Sequence, residues 1–380
     1  MLDELLDRLA ALPADGDAET LRVYADQLIE RGDLRGELIV VATERLTRDT
    51  PELARRERIR IAEQEQRLAG VLATKLRLSY TWRLGFVDTI ACNYHGDERF
   101  DVLSRLAAEP AARLLRRIQI SAVQLDGDGD MAPILAELAR LAPRFPRLTE
   151  LAVHEGANLG NPWIDGPINI HDVTPLYAAF PRLEVLELDG DQTQLGEIEL
   201  PCVRRFMATG LRVDDTRRIV NARWPRLADL EIAFGAQRIE HVAASFGPLL
   251  HRDFGPGLVA LSFALPPMAM RFVVDELPGS PLARHARRLA FRHGELDEGC
   301  FQSLIRQAPQ AAAARTPRAR RAPGLRGDPQ AARRRLRRGA RAALGSYRIT
   351  TGAQVETPAP TIVRVPVAVM PLMLPFVPST

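Results

Sequence analysis

A nine-residue pattern that occurs three times constrains the fold of this chain more than any other feature. The near-copies are FPRLTELAV from Phe145, FPRLEVLEL from Phe180 and WPRLADLEI from Trp224. Each copy contains an apolar residue, two variable positions, a second apolar residue, one variable position and a third apolar residue. Internal repetition at intervals of about 20–50 residues is typical of proteins that stack one small unit many times. The sequence therefore predicts a repeat array.

Eight segments between residues 85 and 308 match this apolar template. The first residues of successive triplets are 28, 33, 35, 20, 24, 31 and 28 positions apart. One strand and one helix cannot bury their apolar faces alone, whereas stacked copies form a shared core. The triplets are Val87/Ile90/Cys92, Leu115/Ile118/Ile120, Leu148/Leu151/Val153, Leu183/Leu186/Leu188, Val203/Phe206/Ala208, Leu227/Leu230/Ile232, Leu258/Leu261/Phe263 and Ala286/Leu289/Phe291.

The intervals between the triplets predict helices and one irregular insertion. Helical spacing of apolar residues indicates helices over Arg99–Leu106, Met131–Leu141, Asp215–Ala222 and Asp297–Arg306. Residues 156–173 are rich in Gly, Pro and Asn, which is typical of a loop. Residues 85–308 thus resemble a leucine-rich-repeat array. The resemblance implies an α/β solenoid with a parallel sheet on its concave side and helices on its convex side.

The variable positions within the strands form a candidate interaction surface. Successive side chains of a strand point to opposite faces, so neighbours of the inward apolar residues are expected on the concave side. Their charges come in basic and acidic blocks, which would suit a partner of complementary charge. A merely solvated polar surface explains them equally well. The candidate residues are Arg117, Gln119, Glu150, His154, Glu187, Asp189, Arg205, Met207, Asp229, Glu231, Arg288 and Arg292.

Residues 1–80 predict a small all-α domain of four helices. Pro13 is expected to end the first helix, and Gly32 suits the left-handed residue after the second. A third helix contains Ile39, and a fourth is expected to run from about Pro51 to Leu78. Apolar side chains recur on one face of each helix, so the four helices are expected to share a core.

The second and third helices carry a resemblance to a known family. Residues about 15–45 resemble the bacterial repeat-companion domain, with Gln27 and Leu34 standing where that family usually has Trp and Pro. The resemblance implies a bacterial protein with an adjoining repeat array, and it implies no activity. We interpret the close-spaced charges as capping and ion-pair networks instead of a catalytic set. The matching residues are Tyr24, Ala25, Asp26, Leu28, Glu30, Arg31, Gly32, Asp33, Arg35, Gly36, Glu37 and Ile39.

The charge balance separates residues 309–380 from the rest of the chain. Residues 310–380 contain 13 Arg and two acids, a charge of +11, so residues 1–309 carry 3 − 11 = −8. The tail is low in complexity, and we expect little packed structure there. One interpretation is a disordered basic arm that contacts nucleic acid or an anionic surface. The other, which we prefer, is a shift of the coding frame near residue 309.

No catalytic, cofactor-binding or metal-ligating set is evident in the sequence. The seven His have no metal-ligand spacing, the three Cys lie about a hundred residues apart, and no phosphate-binding glycine loop occurs. The first residues are amphipathic and acidic, unlike a signal peptide, and no segment has the length and hydropathy of a membrane span. We therefore expect a cytoplasmic protein that does not contact membranes.

These observations favour a non-enzymatic protein–protein interaction scaffold whose partner and oligomeric state the sequence leaves open. The alternative is binding of nucleic acid or an anionic surface through the Arg-rich tail, which would weaken steeply with salt. An enzyme with an unrecognised site is a third hypothesis, but no residue pattern favours it.

Overall fold

The fold is described from a computed structural model of the chain. It describes residues 2–11, 18–72, 77–95, 101–123, 130–155, 168–234, 242–265, 267–286, 288–291, 348–350 and 354–356.

Four helices precede the sheet, and six more lie between its strands in the described ranges. In chain order they are α1 (Leu2–Ala11), α2 (Ala18–Glu30), α3 (Arg35–Thr47), α4 (Pro51–Leu72), α5 (Asp101–Ala108), α6 (Ala132–Leu141), α7 (Thr174–Ala179), α8 (Val213–Asn221), α9 (Val242–Leu250) and α10 (Pro267–Glu276). Consecutive helices such as α5 and α6, α6 and α7, or α9 and α10 pack on one another.

The described strands form a single sheet in which β1 to β9 follow one another in chain order. Strand β1 is antiparallel to β2, and β2 to β9 are parallel. The strands are β1 (Arg77–Arg83), β2 (Phe86–His95), β3 (Arg117–Val123), β4 (Glu150–Glu155), β5 (Val185–Asp189), β6 (Arg205–Leu211), β7 (Asp229–Phe234), β8 (Ala260–Ala264), β9 (Arg288–Phe291), β10 (Arg348–Thr350) and β11 (Gln354–Glu356).

The eight apolar triplets lie in register across β2 to β9. The second residue of each triplet pairs with the second residue of the next, from Ile90 to Leu289. The third residues pair in the same way, from Cys92 to Phe291. From β2 to β8 both rows are at most 1% exposed. The apolar template is therefore confirmed as a parallel ladder whose inward rows are continuous.

In several copies the first residue of the triplet closes a tight turn that leads into the strand. Backbone hydrogen bonds join Leu148 N to Phe145 O at 3.0 Å and Leu183 N to Phe180 O at 3.1 Å. Val203 N makes the same bond to the residue three positions earlier, at 3.3 Å. The apolar ends of these turns are buried, and the Pro at the second position of each is exposed. Arg182 is exposed as well, whereas Arg147 is half-buried and donates from Nη1 to Leu9 O at 3.3 Å. Pro is favoured at the second position of such a turn because its φ is already fixed near −65°. The repeated FPRL sequence thus encodes the turn before β4 and the turn before β5.

One apolar core lies between the sheet and the helices that connect its strands. The two buried rows pack with helix residues such as Leu138, Leu176 and Phe246 in a single cluster that extends from Leu68 to Ala286. The helices therefore cover the apolar face of the sheet. The other face carries the variable positions of the template, and we call it the polar face.

The N-terminal helices pack on the first strands through a second cluster. Phe86 at the start of β2 contacts Tyr24 of α2, with ring centroids 5.9 Å apart, and shares a cluster with Leu28. Gly85 has a φ of +80°, and a Cβ on it would lie 2.6 Å from Ile39 Cγ1. An ion pair adds to this packing, since Nη1 of Arg113, in the segment between α5 and β3, lies 2.6 Å from Oδ1 of Asp7 in α1. Helices and sheet therefore share one continuous packed interface.

The turn after α2 has the geometry that its sequence predicts. Gly32 has a φ of +72°, and the amide of Asp33 donates to Leu28 O at 2.9 Å, which ends the helix. The Asp33 carboxylate accepts from the backbone and guanidinium of Arg35 at 2.9 Å each. An ion pair links Glu37 to Arg60 of α4. The interpretation of these charges as capping and ion-pair residues is confirmed at these positions.

One helix end was predicted wrongly, and one strand was missed, at the start of the sheet. The fourth helix was expected to reach Leu78 but ends at Leu72. Leu78 instead lies in β1, where it pairs with Cys92. The segment RLSYTWR is rich in aromatic and hydroxyl-bearing residues that favour a strand, and Gly85 permits a tight reversal into β2. This antiparallel strand lies before the predicted array of residues 85–308 and was missed, whereas β2 to β9, within that range, are parallel as expected.

Other predictions fall only partly within the described residues. Helices α5, α6 and α8 lie within about two residues of their expected bounds, whereas the predicted helix Asp297–Arg306 lies outside the described residues. Most of the predicted insertion 156–173 is outside them too. Of the segment 309–380 only β10 and β11 are described, and β11 pairs antiparallel with β9.

Candidate interaction surface

The candidate surface residues predicted from the template lie in three rows on the polar face. The first row runs Arg117, Glu150, Val185, Arg205, Asp229, Ala260 and Arg288. The second runs Gln119, Ala152, Glu187, Met207, Glu231, Ser262 and Ala290. The third is the short row Ser121, His154 and Asp189. Adjacent strands are about 4.8 Å apart, so each predicted residue has its counterparts within side-chain reach. Arg292 lies outside the described residues.

Glu187 is the centre of an ion-pair network on this face. Its carboxylate lies 3.0 Å from Arg205 Nε on β6 and 3.2 Å from Arg117 Nη2 on β3. His154 Nε2 of β4 lies 3.5 Å from the same carboxylate. The network therefore joins four strands, since its members come from β3, β4, β5 and β6.

The network continues to both sides of Glu187. Arg117 also lies 3.0 Å from Glu150, and Arg205 lies 3.9 Å from Asp229. We use the name central network for the six residues Arg117, Glu150, His154, Glu187, Arg205 and Asp229. Basic and acidic residues alternate within it, so most of its charge is compensated inside the face.

The environment of Glu187 favours its ionised form. The hydrogen bond from His154 and the charges of Arg205 and Arg117 hold the pKa of this carboxyl below its ordinary value, against the effect of burial. The residue is only 7% exposed, so the side chains of its partners cover it. Glu187 therefore acts as the internal anchor of the face.

The remaining candidates differ in what they offer a partner. Glu231 is buried, whereas Gln119, Met207 and Asp189 are half-buried and Arg288 is exposed. Asp189 accepts from Thr209 Oγ1 at 2.9 Å and is therefore tied to β6. The network members Arg117, Glu150, Arg205 and Asp229 keep side-chain exposures of 25–41%. Together with the exposed Arg288, these four side chains are accessible charges of the face.

Sequence reasoning missed a fourth row of charges at the beginning of the strands. Arg116 forms two hydrogen bonds to Asp88, at 2.5 and 2.9 Å, and Arg204 pairs with Glu184. Each pair occupies the first variable position of two consecutive template copies. Opposite charges at one template position in consecutive units were the available signal.

Metal-ligating groups and thiols are the next side chains to consider. No group of three or more His, Cys, Asp or Glu side chains is placed to hold a metal ion among them. Cys92 is buried in the inward ladder, where burial raises the pKa of its thiol to about 12. Such a thiol is a poor nucleophile because the thiolate is the reactive form.

The described helices and the comparisons add two further findings. None of these helices has the length and hydropathy to cross a bilayer. Comparison with protein-family models, curated proteins and solved structures finds no match to this chain.

Proposed function

We propose that this chain is a non-enzymatic protein–protein interaction scaffold built on a leucine-rich-repeat solenoid. The observation that carries the proposal is the in-register ladder of eight apolar triplets, because each unit contributes one strand and pairs with the units next in sequence. Stacked units of this kind create an extended face, which repeat proteins use for binding. The polar face is the proposed binding surface, and the partner is a protein in the cytoplasm.

Small backbone bridges outside the main sheet support the stacking of units. Asn169 bridges to Asp130 on one side and to Asp191 on the other, in parallel orientation. Asp172 bridges to Gln194 in the same sense. Consecutive units therefore meet at a second backbone position beyond the strands, as expected of coils that stack on one another.

The proposal also assigns a role to the N-terminal helices. We further propose that residues about 15–45 form a repeat-companion domain, and the packing of Phe86 against Tyr24 supports a role for it beside the first strands. An array end needs a cover because its apolar core would otherwise meet water. Helices α1 to α4 are suited to this capping role.

The proposal is tested by affinity capture with the full chain as bait. The test variant is the double substitution Glu150→Gln and Asp229→Asn, which removes two accessible charges of the polar face without changing shape. The matched control is Glu52→Gln with Asp214→Asn, two exposed acids on helices. We expect a specific protein partner whose recovery falls at least about threefold with the face variant, since complementary rim charges contribute modestly to affinity. Equal recovery with both variants, or no specific partner, would contradict the proposal.

Nucleic-acid binding through the tail is a second candidate function, favoured by the charge of +11 over residues 310–380. Lys and Arg contacts to phosphates release counterions, so binding should weaken as salt rises. Changing Arg333, Arg334 and Arg335 to Gln should then weaken binding of a duplex oligonucleotide in a filter-binding assay. Unchanged affinity would exclude this candidate.

A further inference from the structure

The turns that precede the strands present a row of exposed arginines. Arg182 and Arg226 follow the Pro of their turns, and Arg144 and Arg223 come directly before the buried aromatic residue of theirs. All four side chains are exposed, and within the described ranges none of them forms an ion pair or a side-chain hydrogen bond. We call Arg144, Arg182, Arg223 and Arg226 the basic turn cluster.

Backbone hydrogen bonds fix these turns side by side along one edge of the sheet. The amide of Glu184 donates to Thr149 O at 2.7 Å, and the amide of Arg204 donates to Glu184 O at 2.7 Å. The amide of Ala228 continues the series to Arg204 O at 2.8 Å. The turns before β4, β5, β6 and β7 therefore follow one another over three strand spacings, or about 14 Å.

The charge of this edge is opposite to that of the body. The turns over residues 143–149, 180–184, 200–204 and 222–228 contain six Arg and one acid, a balance of +5. The acid, Glu184, is already paired with Arg204. Residues 1–309 as a whole carry −8, so the basic edge is a local feature of an acidic molecule. Segregated charge of this kind steers and orients a partner of opposite sign.

We propose that the basic turn cluster is a docking site for a short acidic segment of a partner protein. The inference rests on the proposed scaffold function and adds the charge of the partner. A run of four or five acidic residues in extended conformation spans about 14 Å, which matches the row. Arginine suits this task because its planar guanidinium binds a carboxylate through two parallel hydrogen bonds.

Nucleic acid fits the same row less well. A duplex carries phosphates far beyond a 14 Å row, and they would face the acidic remainder of the body. Screening leaves repulsion effective over about 8 Å at physiological salt. A short peptide, in contrast, can keep all of its charges on the row.

The test is binding of fluorescein-labelled hexaglutamate to the full chain, followed by fluorescence anisotropy. The variant Arg182→Gln with Arg226→Gln removes two exposed charges that touch no described partner. The matched control, Arg55→Gln with Arg56→Gln, makes the same change on the exposed side of α4. We expect the turn variant to bind about five- to tenfold more weakly than the control variant, because each surface ion pair contributes modestly. The tail variant Arg333→Gln with Arg334→Gln and Arg335→Gln should bind like the wild type.

Three outcomes would overturn the inference. The first is equal affinity of the turn and control variants for hexaglutamate. The second is a loss of hexaglutamate binding in the tail variant alone. The third is that a single-stranded oligonucleotide of equal charge binds more tightly than hexaglutamate and that the turn variant abolishes this binding. Partner capture distinguishes a failure of the proposed docking site from a failure of the proposed scaffold function. If capture depends on Glu150 and Asp229 but not on the turn arginines, the docking site fails and the scaffold stands. If capture depends on neither surface, the scaffold itself fails.

Discussion

At the scale of single residues, two buried polar groups show how the two faces of the sheet accommodate polarity in different ways. Glu187 occupies a position that faces away from the helices, yet three neighbouring side chains enclose it. Cys92 occupies an inward position and is surrounded by apolar residues. The first residue is stabilised by its charge, and the second is tolerated because a thiol behaves as a small apolar group.

Replacement of Glu187 by Gln should destabilise the protein in a pH-dependent manner. Removing one partner of a buried ion pair costs about 2–3 kcal/mol at pH 7. The pKa of Glu187 is lowered in the folded chain, so its contribution is complete above the ordinary carboxyl value of 4.5. It is lost as the pH falls below that value, through the lower folded pKa. Urea denaturation should show a large difference in the free energy of unfolding between wild type and Glu187→Gln at pH 7, and a small difference at pH 3.5. Glu30→Gln, on an exposed residue, is the control, and an equal loss at both pH values would contradict the assignment.

Replacement of Cys92 should reveal its apolar surroundings. Cys92→Val should change the free energy of unfolding by less than about 1.5 kcal/mol, since it conserves character and nearly conserves volume. Cys92→Ser buries a hydroxyl among apolar groups and should cost about 1–3 kcal/mol. Site-resolved thiol labelling followed by mass spectrometry should modify the half-buried Cys202 in the native protein and Cys92 only after unfolding. Rapid native labelling of Cys92 would show that the first template copy is not packed as described.

At the scale of strands and helices, the sequence predicts the periodic positions but misses the first strand and the contacts between strands. The inward rows follow from the spacing of apolar residues of any kind, so even Cys92 and Ala208 are placed correctly. Strand β1 was missed because Leu72 and Leu76 extend the helical spacing of α4 toward it. The polar-face positions follow from alternation, but the links of Glu187 to Arg117 and His154 do not. Those links depend on the order and register of β3 to β5, which no single segment encodes.

The ladder predicts that replacing one of its buried leucines costs far more stability than replacing an exposed leucine elsewhere. Leu186 is fully buried in β5, whereas Leu46 of α3 is 68% exposed. Leu186→Ala should lower the free energy of unfolding by about 2–5 kcal/mol, because it removes buried methyl groups and leaves a cavity. Leu46→Ala should change it by at most about 0.5 kcal/mol. Thermal and urea denaturation of both variants would check this, and similar losses would contradict the register.

At the scale of the whole molecule, the N-terminal helices and the sheet depend on each other. Ile39 of α3 packs directly on Gly85, which stands at the reversal between β1 and β2. Leu68 and Leu72 of α4 belong to the same core as the strand residues. The predicted division near residue 80 therefore marks a change of secondary structure across a shared core.

Gly85→Ala should destabilise the N-terminal helices and the first strands together. The new Cβ would lie 2.8 Å from backbone atoms of Ile39, and the positive φ disfavours alanine by about 1 kcal/mol in addition. Gly32→Ala is the matched control, since Gly32 has a similar φ but open space around it. Hydrogen exchange should accelerate in α3 and in β2 for the Gly85 variant, and Gly32→Ala should affect only the end of α2. Faster exchange confined to the β1–β2 turn would contradict the shared interface.

The nearest-neighbour order of the sheet has a consequence for how the chain acquires and changes its structure. Every strand from β2 to β8 pairs with the strands immediately before and after it in the chain, so few native contacts along this part of the sheet require distant parts of the chain to meet. Chains with such local contacts fold fast for their size. The same property allows the length of the ladder to vary in evolution: gain or loss of one strand–helix module would rejoin equivalent neighbours and leave the remaining topology intact.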